Sequence, residues 1–208
     1  MTFFTTHAEV PLDRLAIGPR RNTGARSVAT VSLTDARMEP LRWCLPPLRV
    51  LWEPAVPPGA APAERLNLRL SPTPELQEWY ARFDEAILHL AAAHSVQLWG
   101  RQRGTTELEE TYVGLLRLSP NGNYLQTKVT TNGNHRTQIW AGPGQEAPWP
   151  TEWTNHLCQT LQALSSIWFL NERWGCTVST VAAELLPLPA QSVNTYPFSG
   201  TPSDEMEE

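Results

Sequence analysis

Hydrophobic and polar positions alternate most regularly over the last third of the chain. From Trp149 to Leu186 the sequence opens with Pro-Trp-Pro and Trp153, then alternates through Leu157, Gln159, Leu161 and Ala163 to Ile167, Trp168 and Phe169. It breaks at Asn171-Glu172-Arg173 and resumes after Trp174-Gly175 as far as Leu186. Period-two alternation on both sides of a short polar break predicts two strands closed by a hairpin. Trp149, Trp153, Trp168, Phe169 and Trp174 are more aromatics than packing a sheet of this size requires, so some are candidates for stacking on a ligand. Adjacent residues of a strand point to opposite faces, so only one of Trp168 and Phe169 can face a groove, and the other belongs to the core.

The same logic places the earlier elements. Residues 1–27 mix Pro, Gly, Thr and Arg without a period and are expected to form a mobile arm. Residues 28–33 and 41–52 suit strands, the second broken by Pro46-Pro47 and so at an edge or a bend. Residues 53–63 hold four prolines and predict an extended loop. Leu66, Leu68 and Leu70 alternate with polar residues as one face of a half-buried strand. A helix follows, with Thr73 as N-cap, Pro74 at its first position and Glu75 in its first turn. Leu76, Trp79, Tyr80, Phe83, Ile87 and Leu90 line one helical face, an aromatic stripe that belongs to the core. Trp99 to Gly104 is then expected to be a connector. Asn121-Gly122 and Asn132-Gly133 turn a meander whose strands run from Tyr112 to Leu118, Tyr124 to Thr130 and Thr137 to Ala141.

Strand, inserted helix, antiparallel meander and closing hairpin fit a mainly β (α+β) fold, an OB-fold-like five-stranded Greek-key barrel carrying an amphipathic helix. The expected organisation is an arm over 1–27, the barrel domain over 28–187 and an acidic tail over 188–208.

Composition narrows the chemistry. The chain has 208 residues, 41% of them hydrophobic and 18% charged, which suits one globular domain with a real core. No apolar run is long enough to cross a bilayer, and the N-terminus lacks the basic lead and apolar stretch of a secretory signal. Cys44, Cys158 and Cys176 form neither a disulfide framework nor a zinc pattern and fit a reducing, intracellular compartment. His7, His89, His94, His135 and His156 are scattered, so no metal site is expected. No phosphate loop, nucleophile elbow or metalloprotease motif is present, which argues against an enzyme and against a cofactor.

Charge is unevenly placed. The net charge is −5, of which Asp204, Glu205, Glu207 and Glu208 supply −4, leaving −1 on the body. Seven arginines lie between Arg14 and Arg49 against two acids, and Lys128 is the sole lysine. Codon usage alone would account for the arginine bias, but guanidinium groups also fork onto phosphates and stack on planar groups.

Taken in order, LNLRL, a helix with WYARFDEAIL, YVGLLRL, YLQTKVT and IWFLNERWGCTVSTVAAEL resemble the single-stranded-DNA-binding proteins of DNA viruses. That family includes the T7-type phage proteins and their relatives in large eukaryotic DNA viruses. The resemblance covers roughly residues 64–187 and rests on order more than on an invariant motif. It implies a non-enzymatic protein of replication or recombination, active at a viral replication site in the host cytoplasm or nucleus. Bases of single-stranded DNA, or RNA, would stack on aromatics drawn from Trp99, Tyr124, Trp140, Trp168 and Phe169, while Arg101, Arg103, Arg117, Lys128 and Arg136 neutralise phosphates. It further implies that the acidic tail, through Asp204, Glu205, Glu207 and Glu208, recruits replication proteins and competes with DNA for the same cations. The family's lysine-rich strands are here represented by Lys128 alone. The rival expectation is a β-barrel scaffold without nucleic-acid binding, whose aromatics are buried or form a hydrophobic homodimer patch. Exposure separates the two: binding requires at least two of these aromatics accessible on one basic face.

Overall fold

A computed structural model describes residues 3–24, 26–33, 40–54, 64–120 and 122–188. In chain order the strands are β1 (Phe3–Phe4), β2 (Leu15–Asn22), β3 (Ser27–Leu33), β4 (Leu41–Cys44), β5 (Leu48–Trp52) and β6 (Arg65–Leu70). Helices α1 (Pro74–Ala93), α2 (Ser95–Trp99) and α3 (Thr105–Glu109) follow. Then come β7 (Tyr112–Val113), β8 (Leu116–Arg117), β9 (Tyr124–Thr130), β10 (Gln138–Gly142), β11 (Gln145–Glu146), β12 (His156–Leu170) and β13 (Arg173–Pro187).

Five of these strands close on themselves. β5 pairs with β6, β6 with β9, β13 with β12, and β12 returns to β5, all antiparallel, while β9 meets β13 in parallel at Lys128 and Ser179. Numbered one to five along the chain, the ring reads 1-2-3-5-4-1 with its parallel contact between third and fifth. That is the OB-fold barrel, with α1 inserted between its second and third strands. Thr73 caps α1 as expected, accepting from the Leu76 amide at 3.3 Å, and Leu76, Trp79, Tyr80, Phe83 and Ile87 are buried. Trp43 of β4 packs on this stripe, 5.8 Å from Trp79 and 6.2 Å from Phe83. Leu90 is half-buried, and Ala91 takes the last core position of the helix.

β12 serves two sheets. Its first residues close the barrel on β5; farther along it pairs with β4 over Leu161 to Leu164 and with β3 over Ser166 to Phe169. Its ladder with β13 shifts register twice: at Leu161/Gln162, where β13 carries the extra residue, and at Leu164/Ser166, where β12 does, between its β4 and β3 segments. Gln162, at the first shift, points into the barrel, where Thr127 Oγ1 donates to its Oε1 at 2.8 Å and its Nε2 donates to Thr160 Oγ1 at 2.6 Å. All three side chains are buried and mutually satisfied.

Several elements differ from the sequence expectation. Residues 3–24 are folded: β2 pairs along β3, and Val10, Leu15 and Ile17 enter the core. Gly18-Pro19 disguises β2 because it falls where the β2–β3 register shifts between Ile17 and Arg20, a bulge that tolerates a proline without an N–H. Residues 112–118 form two short strands separated by Gly114, whose missing Cβ would stand 2.7 Å from Asp84 Oδ2. β10 pairs in parallel with β13 and antiparallel with β11. The hydroxyl of Thr137 draws it there, accepting from the Thr130 amide at 2.9 Å and donating to the Thr180 carbonyl at 2.7 Å. Thr105–Glu109 form α3, anchored by fully buried Leu108. Most of the 53–63 loop and the 189–208 segment lie outside the described residues.

Phe83 touches three aromatic neighbours, so Phe83→Ala should lower unfolding stability by about 3–5 kcal/mol in urea titration. A loss below about 1 kcal/mol would mean that α1 is not integral to the core.

Candidate nucleic-acid interface

The pleat decides which side chains reach the outer face of the barrel. β6 buries Leu66, Leu68 and Leu70 and turns Arg65, Asn67 and Arg69 outward; β9 buries Leu125, Thr127 and Val129 and turns out Tyr124, Gln126 and Lys128. β8 sets Arg117 opposite Tyr124, and Lys128 Nζ donates to Asn67 Oδ1 at 2.5 Å across the β6–β9 pair. Between these strands and the β12–β13 hairpin runs a groove of about 470 Å³. Arg26, Arg65, Arg117, Lys128, Trp168 and Leu170 line it, and among the described residues none of those lining it is acidic.

The groove is electrostatically unbalanced. Burial, followed by the like charges of Arg65, Arg117, Arg26 and Arg69, lowers the pKa of Lys128 from its usual range. Each of these groups disfavours the others, and an anion bound among them relieves all at once.

Trp168 supplies the flat apolar wall. It is half-buried, while Phe169 on the other face is 3% exposed and in the core, which agrees with the strand alternation. Gly175 stands directly opposite Trp168, and a Cβ there would lie 3.1 Å from the indole and 2.5 Å from the Val113 carbonyl. Only glycine lets the ring lie across β13, with Nε1 donating to the Cys176 carbonyl at 3.2 Å. At the far end of the face Trp52, 44% exposed, meets Tyr124 at 5.5 Å, and the Arg69 guanidinium sits 5.2 Å and 5.6 Å from the two rings.

Beneath the floor, Tyr112 Oη donates to Asp84 Oδ1 at 2.5 Å. Burial raises the Asp84 carboxyl to about 6, against the Tyr112 hydrogen bond, the Arg117 charge and the Leu115 amide, which act to lower it. Burial also pushes the Cys176 thiol up.

The structure brings Arg117, Lys128 and Trp168 into the groove and sets Tyr124 on the same face. Trp99, Arg101 and Arg103 are elsewhere. Trp99 packs edge-on against Phe169 at 5.3 Å and Trp174 at 5.4 Å, on the side of the hairpin opposite Trp168. Arg103 covers its ring at 5.4 Å, and Arg101 pairs with Glu107 at 2.5 Å. Trp140 borders a separate shallow hollow beside Cys44 and Glu184. Arg136 is exposed on the turn between β9 and β10. Asp204, Glu205, Glu207 and Glu208 lie outside the described residues. Arg26, Arg65, Arg69, Trp52 and Leu170 were not singled out from sequence. The alternation of RLNLRL signals Arg65 and Arg69, whereas nothing local marks Arg26.

Among the described residues no cluster of His, Cys, Asp or Glu could hold a metal ion, and no helix is long and apolar enough to cross a membrane. No protein-family model matches the chain, and no curated protein sequence does. Solved structures of a phage protein do align with it. The single-stranded DNA-binding protein from bacteriophage Enc34, in complex with single-stranded DNA, is 13% identical with a TM-score of 0.40, over 83% of this chain and 96% of that one. The same phage protein without DNA is 11% identical with a TM-score of 0.40, over 86% and 94%. The barrel assignment rests on the strand order itself.

Two measurements test this geometry. Gly175→Ala should expel the indole, changing the Trp emission spectrum and costing about 1–3 kcal/mol of stability; an unaltered spectrum at unaltered stability contradicts the packing. Asp84 holds its proton more tightly folded, near pH 6, than at its ordinary 3.8. Its stabilising contribution is therefore complete below about pH 4 and is lost as pH rises through about 6. The stability of the wild type relative to Asp84→Asn should fall by about 2–3 kcal/mol over that window in urea titrations, and a flat difference refutes it.

Proposed function

We propose that this chain is a non-enzymatic protein that binds single-stranded DNA on the β6–β9 face of its barrel, serving replication or recombination. The observation that carries the proposal is the groove itself: four cations and one indole around a cleft with no lining acid among the described residues, in a chain of net charge −5. In OB-folds the second and third strands, with the loops after the first and fourth, form the oligonucleotide face. Here the strands are β6 and β9, and the Asn171-Glu172 turn follows the fourth strand.

Phosphates would lie along Arg26, Arg65, Arg117 and Lys128, and bases would stack on Trp168 and on the Trp52–Tyr124 pair. Each stacked base contributes about 1–3 kcal/mol, so two or three compensate for a modest cation count. Two accessible aromatics on one basic face, Tyr124 and Trp168, favour binding over the scaffold alternative. The proposal extends to the acidic tail, which would compete for the groove and recruit replication partners. Three free cysteines suit its working in a reducing compartment.

Titration with a dT oligonucleotide of about 30 nucleotides should quench Trp fluorescence, with log K falling by about 0.7 per phosphate neutralised as log salt rises. Trp168→Ala should weaken binding about 5- to 150-fold, Lys128→Ala should reduce the salt slope by about 0.7, and a chain ending at Thr201 should bind more tightly. A folded protein that shows no quenching at micromolar concentration in low salt would rule out the binding reading and leave the scaffold in its place.

A further inference from the structure

Arg65 stands on the boundary between the groove and a second depression of about 530 Å³. Strand register explains the hollow. Arg42 of β4, Ala163 of β12, Ser179 of β13 and Lys128 of β9 follow one another across the sheet as directly paired residues. Paired residues project to the same side, so two small side chains in mid-row leave a low floor between flanking cations. Arg42 walls one side; Arg65, His135 and Arg136 wall the other, and among the described residues none of those lining it is acidic.

Two details indicate a site built for an anion. Arg42 Nε is buried with no hydrogen-bond partner among the described residues, an unmet donor on a permanently charged group. The turn bearing His135 and Arg136 is also held firmly: Gly133 takes φ 75°, the Arg136 amide donates to the Gly133 carbonyl at 3.2 Å, and Thr137 is bonded on both sides. Glu64 lies near this turn, its carbonyl accepting from the Thr131 amide at 2.9 Å, but it lines neither hollow.

Resting on the proposed function, we infer that the nucleic-acid path continues beyond the barrel groove, over Ala163 and Ser179, into this trough, where Arg42, Arg65 and Arg136 take the phosphates of a second segment of the strand. Its occupant is held chiefly through its backbone, because among the described residues no Trp, Tyr or Phe lines the trough. β4 is not a barrel strand, so the N-terminal layer enlarges the binding surface past the five-stranded ring. From Gly175, beside Trp168, to Ser179 is about 13 Å along β13 at the usual strand rise, so only a longer oligonucleotide reaches both.

The test compares the full chain with Arg136→Glu, on an exposed turn, and with Arg42→Ala/Arg136→Ala. Binding to dT oligonucleotides of about 6 and about 20 nucleotides is followed by anisotropy and Trp quenching across a salt series. On the longer oligonucleotide both variants should bind at least about tenfold more weakly, the double variant with a salt slope lower by about 1.4, while maximal quenching stays the same. On the shorter one both should remain within about twofold of wild type. Equal losses on both lengths, or none on the longer with Arg136→Glu, would overturn the extended path while leaving the groove intact. Failure of the wild type to bind either length would overturn the proposed function itself, and the extension with it.

Discussion

The β12–β13 ladder is the constraint on which the rest of the structure depends. Two fifteen-residue strands pair almost end to end, from His156 with Pro187 to Leu170 with Arg173. Regular strands of that length would twist away from any single barrel, and β12 meets that conflict by changing partners along its length, with a bulge between its β4 and β3 segments. One segment closes the ring, and the others carry the N-terminal layer of β1 to β4. The buried Thr127–Gln162–Thr180 hydrogen bonds tie β9, β12 and β13 at the place where the ring has its parallel contact. A network of this kind specifies register, because a slip by one residue would turn Gln162 to the outer face and break its bonds to Thr127 and Thr180.

The same ladder shapes the outer face. Trp168 and Phe169 are neighbours in sequence with opposite fates, one lying across Gly175 in the groove and the other packed under Trp99 and Arg20. Groove and core therefore share one pair of strands, and the position of the indole is set by a backbone approach that no other residue at 175 permits. The cation cluster on β6, β8 and β9 is held by equally stiff elements. Its mutual repulsion is a cost that folding bears, and it gives the face a preference for anions before any ligand arrives.

Much of this was legible in the sequence, and the gaps have physical causes. The closing hairpin, the Leu66-Leu68-Leu70 strand and α1 were readable because their periods are undisturbed and their caps are strong. β2 was not, because Gly18-Pro19 sits on a bulge and breaks the alternation. Of the candidate binding residues, Lys128, Arg117 and Tyr124 share a face because strand pairing puts them there. Trp99, Arg101 and Arg103 look alike in sequence, an aromatic with two arginines between glycines, yet Glu107 and Phe169 engage them elsewhere. A local motif cannot tell a free arginine from a paired one. Arg26 and Arg65, about forty residues apart, meet only through the fold.

Net charge is a poor guide here for the same reason. Several acids of the body are engaged locally: Glu53 accepts from the Trp153 and Thr154 amides, Glu9 from Thr5, and Glu107 pairs with Arg101. Asp84 lies under the groove floor, raised towards neutrality by burial. A solvated carboxylate contributes little potential to a face beyond a Debye length of about 8–10 Å. Arg26, Arg65, Arg117 and Lys128 instead converge on one groove, where low-dielectric walls focus their field. A body of net charge −1 can thus present a strongly positive cleft, because the sum is taken over the whole chain and the phosphate meets only the groove.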